Sequence, residues 1–132
     1  MGRQLILDTN ILIAYERRAI DRSALDEDEL AVAAISIAEY RAGIELADIP
    51  ERTAERARAL ATITSVIDVL DYTPITAAHH ARVLAHVRKS GTPRGAHDLI
   101  IAAHAAESGR LLLTRDAKAR FADLPGVTAI EP

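Results

Sequence analysis

The chain has 132 residues, of which 49% are hydrophobic and 27% charged, and its formal net charge is -3. This composition excludes intrinsic disorder and low-complexity classes, and the length predicts one domain over residues 1–132. Cysteine is absent, which excludes disulfides, thiolate metal sites and a cysteine nucleophile, and no apolar run approaches the roughly 20 residues of a membrane span, so we expect a soluble, cytoplasmic protein.

Short apolar runs alternate with helical patterns along the whole chain. We predict buried strands over residues 4–7, 30–35, 66–72, 111–114 and 127–130. We predict helices over residues 11–17, 36–47, 51–63, 75–89 and 96–106. This alternation is typical of an α/β fold, with a central, mostly parallel five-stranded sheet flanked by helices on both faces.

The charges are unevenly distributed between the two halves. Residues 1–71 carry 8 basic and 14 acidic side chains, whereas residues 72–132 carry 8 basic and 5 acidic ones. The acidic balance and the 3% of aromatic residues argue against a general nucleic-acid coat and against a base-stacking platform. In the basic half, Arg94, Arg115 and Lys118 are the first candidates for contacts with RNA phosphates.

Four carboxylates follow the predicted strands. Asp8 ends the first strand, Glu39 lies one helical turn after the second, Asp98 precedes the fourth by one helix, and Asp116 follows the fourth. Ligands of open α/β sheets bind outside the carboxyl ends of the strands, so these acids can meet there. Clustered carboxylates need a cation, and oxygen ligands suit Mg²⁺ or Mn²⁺. Such a site hydrolyses phosphodiesters with a metal-activated water.

Each acid also has an ordinary structural interpretation. Ser36 and Glu39 have the spacing of a capping box, which is as good an explanation of Glu39 as a metal site. Asp98 in a first helical turn is favoured by the helix dipole, and Asp8 and Asp116 are typical turn or N-cap residues. Their joint placement at one edge of one sheet favours the metal site, since independent caps have no reason to gather there.

Four segments resemble the signatures of PIN-domain ribonucleases, specifically the VapC toxins of bacterial type II toxin–antitoxin systems. They are residues 5–10, 35–43 and 97–105, and residues 113–116 together with Phe121, which span nearly the whole chain. The resemblance implies one PIN domain with five parallel strands, the first of them central. It also implies an endoribonuclease that requires Mg²⁺ or Mn²⁺ and cleaves structured RNA such as tRNA or rRNA, a homodimer, and inhibition by a cognate VapB-like antitoxin.

The resemblance also assigns roles to individual residues. Asp8, Glu39, Asp98 and Asp116 match the catalytic, metal-binding acids, with Asp8 and Asp98 as direct ligands. Thr9 and Thr114 match hydroxyl positions beside the metal, where a side-chain oxygen can hold a water ligand. The chain departs from many relatives at Arg120, which stands before Phe121 in place of a further acid and removes a fifth carboxylate.

Other classes of protein fit the sequence less well. A receiver-like, Mg²⁺-binding signalling domain needs adjacent acids after the first strand, but Asp8 is followed by Thr9 and Asn10. Asn10 also breaks the D-x-D pattern of haloacid-dehalogenase phosphatases.

The five histidines lack the spacing of a zincin, and we expect all of them to be partly buried or exposed. A non-catalytic module that binds a basic peptide through its acidic edge stays open, and loss of RNA cleavage on mutation of Asp8 or Asp98 discriminates against it.

Overall fold

The computed structural model describes residues 2–47 and 49–132 of the chain. Within these ranges the strands are β1 (Gln4–Leu7), β2 (Glu29–Ala33), β3 (Asp68–Leu70), β4 (Leu111–Leu113) and β5 (Ala129–Ile130). The α-helices are α1 (Thr9–Glu16), α2 (Ala34–Glu45), α3 (Pro50–Thr64), α4 (Pro74–Ser90) and α5 (Ala96–Ser108). No helix in these ranges has both the length and the hydropathy to cross a membrane.

The strands form one sheet in the order β3-β2-β1-β4-β5, and every neighbouring pair is parallel. Strand β1 is central, and Leu7 at its end pairs with Val32 on one side and Leu113 on the other. The predicted parallel α/β fold is thereby confirmed. We name the end of the sheet where the strands finish the carboxyl edge, and the opposite end the amino edge.

Side chains from β1 alternate between two hydrophobic cores. Ile6 packs into a core that includes Val83 of α4 and Ile101 of α5. Leu5 and Leu7 pack into a second core on the other face, formed with residues of the first three helices. Because parallel strands with helices on both faces expose neither face, β1 is apolar throughout its last three residues, all of them fully buried.

The structure corrects four of the five predicted strands: β4 ends at Leu113 rather than at residue 114, β5 covers only Ala129–Ile130 of the predicted residues 127–130, and β2 and β3 also differ. Strand β2 ends at Ala33, two residues before the predicted end, because the apolar run continues directly into α2. The strand predicted over residues 66–72 covers only Asp68–Leu70. Strand β3 is at the edge of the sheet and pairs only with β2, which leaves Val66 and Tyr72 largely exposed beyond its ends.

Arginines hold the amino edge together. The Arg110 guanidinium, which is only 12% exposed, donates hydrogen bonds from Nη1 to the carbonyl oxygens of Leu5 at 3.2 Å and Glu29 at 3.1 Å. Arg3 contacts Asp28 through Nε at 3.2 Å and Nη2 at 2.8 Å. Positive charge therefore ties together the starts of the central strands.

Candidate acidic site at the carboxyl edge

Asp8 lies where the central strand ends and α1 begins, and it is 4% exposed. Its Oδ1 accepts a hydrogen bond from the backbone N–H of Ile11 at 2.8 Å, which caps α1, and its Oδ2 accepts one from the Thr114 hydroxyl. Burial raises the pKa of Asp8, and the charge of Asp116 raises it further, while the hydrogen bonds from Thr114 and Ile11 oppose the rise. Asp8 is the N-cap of α1, as predicted. Capping alone does not explain why a second carboxylate, Asp116, lies close to it.

Glu39 is held by side chains from two other elements. Its Oε1 lies 2.7 Å from the Thr9 hydroxyl, which is also 2.9 Å from the Ser36 hydroxyl. Its Oε2 lies 3.3 Å from Nδ1 of His97. The N-cap of α2 is Ala33, which makes no side-chain cap bond. The capping-box interpretation of Ser36 and Glu39 is therefore wrong, and Glu39 faces α1 and α5 instead.

Asp98 lies in the first turn of α5 and completes the cluster. Burial raises its pKa, and the charges of Asp116, Glu39 and Asp8 raise it further, in that order, while His97 lowers it. The four predicted acids therefore lie close enough to repel one another. Gly95 leaves room for this carboxylate, since a Cβ at that position would lie 3.0 Å from Asp98 Oδ2.

Asp116 shapes the loop that follows β4. Its Oδ1 accepts hydrogen bonds from the backbone N–H groups of Lys118 at 3.0 Å and Ala119 at 3.1 Å, and its own N–H donates to Thr114 Oγ1 at 3.0 Å. Thr114 thus joins Asp8 to Asp116. The two threonines predicted beside the metal both bind carboxylates directly, Thr9 to Glu39 and Thr114 to Asp8.

Ser36 and His97 are additional members of the site. Ser36 is fully buried, and its hydroxyl contacts that of Thr9. The sequence places Ser36 three residues before Glu39, but this spacing is interpreted as a capping box rather than as part of the site. His97 is adjacent to Asp98 in the sequence, but its contact with Glu39 depends on how α2 packs against α5. His104 is 1% exposed, which corrects the expectation that all five histidines are at most partly buried.

The three predicted RNA contacts occupy different environments. Arg115 and Lys118 are exposed on the loop that carries Asp116, and Nη2 of Arg115 makes a long hydrogen bond of 3.4 Å to the Ala19 carbonyl without being buried. Arg94 differs from the prediction, because its side chain is 7% exposed and its Nη1 donates to the backbone carbonyls of Ala119 and Arg120. In this structure Arg94 is therefore bound to the protein's own backbone and is not free to contact RNA.

The donor set of the site fits a hard divalent cation. Carboxylate and hydroxyl oxygens dominate it. Burial and then repulsion from the other acids raise the pKa of Asp98, and positive charge would offset that repulsion. Throughout residues 2–47 and 49–132, no three His, Asp or Glu side chains already converge closely enough to enclose an ion. The carboxyl edge therefore presents oxygen donors of the kind that suit a hard divalent cation.

Comparison with known proteins identifies the family to which this chain belongs. Residues 5–127 match the family model of the PIN domain. Ribonuclease VapC2 of Haemophilus influenzae is 33% identical over 115 residues, which cover 84% of this chain and 85% of that protein. The tRNA(fMet)-specific endonuclease VapC of Shigella flexneri is 29% identical over 119 residues, covering 87% of this chain and 88% of that protein.

The fold agrees with the same relationship. The crystal structure of DNA-bound VapBC from Salmonella typhimurium contains a chain that superposes with a TM-score of 0.86 and 27% identity, covering 99% of this chain and 98% of that one. The chain therefore belongs to the PIN-domain family. Within that family it is a VapC-type protein, in the group whose curated members are named ribonucleases.

Proposed function

We propose that this chain is the toxin of a type II toxin–antitoxin pair and acts as an endoribonuclease that requires Mg²⁺ or Mn²⁺. It hydrolyses phosphodiester bonds of structured RNA, with tRNA or rRNA as substrate, in the cytoplasm. The name of the Shigella flexneri relative supports the choice of tRNA. The observation that carries the proposal is the gathering of Asp8, Glu39, Asp98 and Asp116, from four separate segments, at the carboxyl edge of one sheet.

The four acids would have different roles in binding a cation. Asp98, which accepts no hydrogen bond from the residues described here, and Asp8 would bind it directly, with Asp116 and Glu39 completing the surroundings. When bound, a divalent cation polarises a water molecule and neutralises charge at the scissile phosphate. The Thr114 hydroxyl orients Asp8, and the Thr9 hydroxyl orients Glu39.

Basic side chains beside the acids would bind the substrate. Arg115 and Lys118 are exposed and lie within two residues of Asp116 in the sequence. A phosphate group that they bind would therefore lie close to the Asp116 carboxylate. Neutralisation of the phosphate backbone supplies most of the affinity of such complexes and makes the affinity depend on salt. We propose these two cations, rather than the buried Arg94, as the RNA contacts.

The acidic edge would also be the target of the antitoxin. A VapB-like antitoxin would place an arginine or lysine against the four carboxylates, where charge complementarity favours it and where it would exclude the cation and the substrate. The crystallised relative from Salmonella typhimurium is a VapBC complex, which supports this choice of partner. We further propose that the chain forms a homodimer, which light scattering of the purified protein would test.

Cleavage by the purified chain tests the proposed activity. We expect cleavage of tRNA or rRNA with Mg²⁺ or Mn²⁺, none with EDTA, and a loss of about a hundredfold or more in the Asp98→Asn variant. Asp28→Asn at the amino edge is the matched control and retains activity. Equal cleavage by the Asp98→Asn and wild-type chains would contradict the proposal. Binding of a basic peptide without any cleavage would favour a non-catalytic module instead.

A further inference from the structure

We propose that Arg94 is a positioning residue that holds the Asp116 carboxylate in place relative to Asp98, and thereby sets the affinity of the acidic site for its cation. This inference rests on the proposed function, because it assigns Arg94 a role in the same metal site. It replaces the predicted contact of Arg94 with RNA.

The guanidinium of Arg94 joins two segments that are distant in the sequence. Arg94 lies just before α5, whose first turn carries Asp98. Its Nη1 donates to the carbonyl oxygen of Ala119 and, at 2.8 Å, to that of Arg120, and its Nη2 lies 4.0 Å from Asp123 Oδ2. One side chain therefore connects the start of α5 to the loop after β4.

The contact reaches Asp116 through a single residue. The N–H of Ala119 donates to Asp116 Oδ1 at 3.1 Å, while the carbonyl of the same residue accepts from Arg94. Arg120, which follows, has a φ of 49°, in the left-handed region that is unfavourable for any residue other than glycine. Because Arg94 also binds the Arg120 carbonyl, it stabilises the backbone turn that presents Asp116.

Repulsion between the carboxylates explains why the contact of Arg94 with the loop after β4 matters for the site. Asp98 and Asp116 approach each other as like charges, and their repulsion favours displacement of the loop that carries Asp116 away from α5. Arg94 opposes that displacement, since it is attached to both segments. Without it, the cation would have to draw the loop back before binding, and its apparent affinity would fall.

The chemistry of the contact requires arginine in particular. Nη1 alone donates to both carbonyl oxygens, while Nη2 of the same planar guanidinium lies 4.0 Å from Asp123 Oδ2; a lysine ammonium has a single nitrogen on a flexible stem and reproduces this set of contacts less well.

Mn²⁺ binding without RNA tests the inference, with Arg110 as a matched control. Arg110 is also a largely buried arginine that donates to two backbone carbonyls, but it lies at the amino edge. We expect calorimetry to show Mn²⁺ binding about tenfold weaker in Arg94→Met, an intermediate affinity in Arg94→Lys, and an affinity within about twofold of wild type in Arg110→Met. The Mn²⁺ concentration for half-maximal cleavage should shift in parallel, with kcat largely restored at saturating Mn²⁺.

The outcomes separate this inference from the proposed function. Circular dichroism would establish that each variant is folded at the temperature used. Mn²⁺ affinity in Arg94→Met within about twofold of wild type would contradict the inference alone, as would equal weakening in Arg94→Met and Arg110→Met. A wild-type chain that neither binds Mn²⁺ nor cleaves RNA would contradict the proposed function together with the inference.

Discussion

The amino edge and the carboxyl edge of the sheet place their carboxylates in opposite environments. At the amino edge, the side chain and backbone N–H of Arg3 both bind Asp28 and lower its pKa. At the carboxyl edge, burial and three other carboxylates raise the pKa of Asp98, and only His97 opposes the rise. At the amino edge, arginines pair with Asp28 and, at 3.9 Å, with Asp68, whereas none of the four acids at the carboxyl edge has a lysine or arginine within ion-pair distance among the described residues.

We interpret the amino edge as the part of the sheet that stabilises the fold and the carboxyl edge as the part that serves function. Arginine contacts at the amino edge satisfy backbone carbonyls and an acid, which is what a folded chain needs. A cluster of four mutually repelling acids is unfavourable for folding, and such arrangements occur where a function requires them. We therefore propose that the carboxyl edge is the part of the sheet whose chemistry depends on an added cation.

The largest effect on stability is expected from Arg110→Met. This change leaves the carbonyl oxygens of Leu5 and Glu29 without their charged donor at the amino edge. We expect the free energy of unfolding to fall by about 2 kcal/mol, measured by urea denaturation. A fall of similar size in Asp98→Asn would contradict the contrast between the edges.

A smaller loss is expected from Thr114→Val. The substitution removes the hydroxyl that donates to Asp8 and accepts from the Asp116 N–H, while it keeps the shape of the side chain. We expect a loss of about 1–2 kcal/mol in the free energy of unfolding and a further rise in the pKa of Asp8, since the Thr114 hydrogen bond lowers that pKa. Thr114→Ser is the control and should behave nearly as wild type in both denaturation and NMR titration.

The smallest effects, but opposite in sign, are expected from Asp98→Asn and Asp28→Asn without metal. The pKa of Asp98 is raised in the folded chain, so the folded chain binds this proton more tightly than the unfolded chain does. Above the raised pKa, ionised Asp98 therefore lowers the free energy of unfolding. This destabilisation disappears as the pH falls through the raised pKa toward the ordinary value of 3.8. Ionised Asp28 stabilises the fold above 3.8, and this contribution disappears as pH falls through its lowered pKa.

Urea denaturation at several pH values would therefore show opposite differences from wild type. At neutral pH, Asp98→Asn should be more stable than wild type and Asp28→Asn less stable, with both differences shrinking in acid. Differences of the same sign for the two variants would show that the edges are not opposed.

The sequence predicts the fold well where local pattern and burial agree. Strand β1 is predicted at its observed bounds because its apolar run is buried on both faces and ends at Asp8. Helix α5 is also predicted, since an alanine-rich apolar segment ends at Gly109, which adopts a left-handed conformation. Prediction fails at β3, because the length of an edge strand depends on how much of it finds a partner in β2.

Within the site, the sequence identifies the four acids but not their partners. Glu39 is predicted equally well as a capping residue, and only tertiary structure shows that Thr9 and His97 bind it. Arg94 is near Asp98 in the sequence, as an RNA-binding arginine would be. Its burial depends on a loop that begins more than 20 residues later, which no local pattern specifies.

The most direct test of the account is calorimetric titration of Mn²⁺ into wild type, Asp98→Asn and Asp28→Asn at neutral pH without RNA. These variants remove one carboxylate charge from opposite edges of the same sheet. We predict that wild type and Asp28→Asn bind Mn²⁺ with equal affinity and that Asp98→Asn binds it at least about tenfold more weakly. Equal affinity in all three proteins, or no binding by wild type, would contradict the assignment of the carboxyl edge as the cation site.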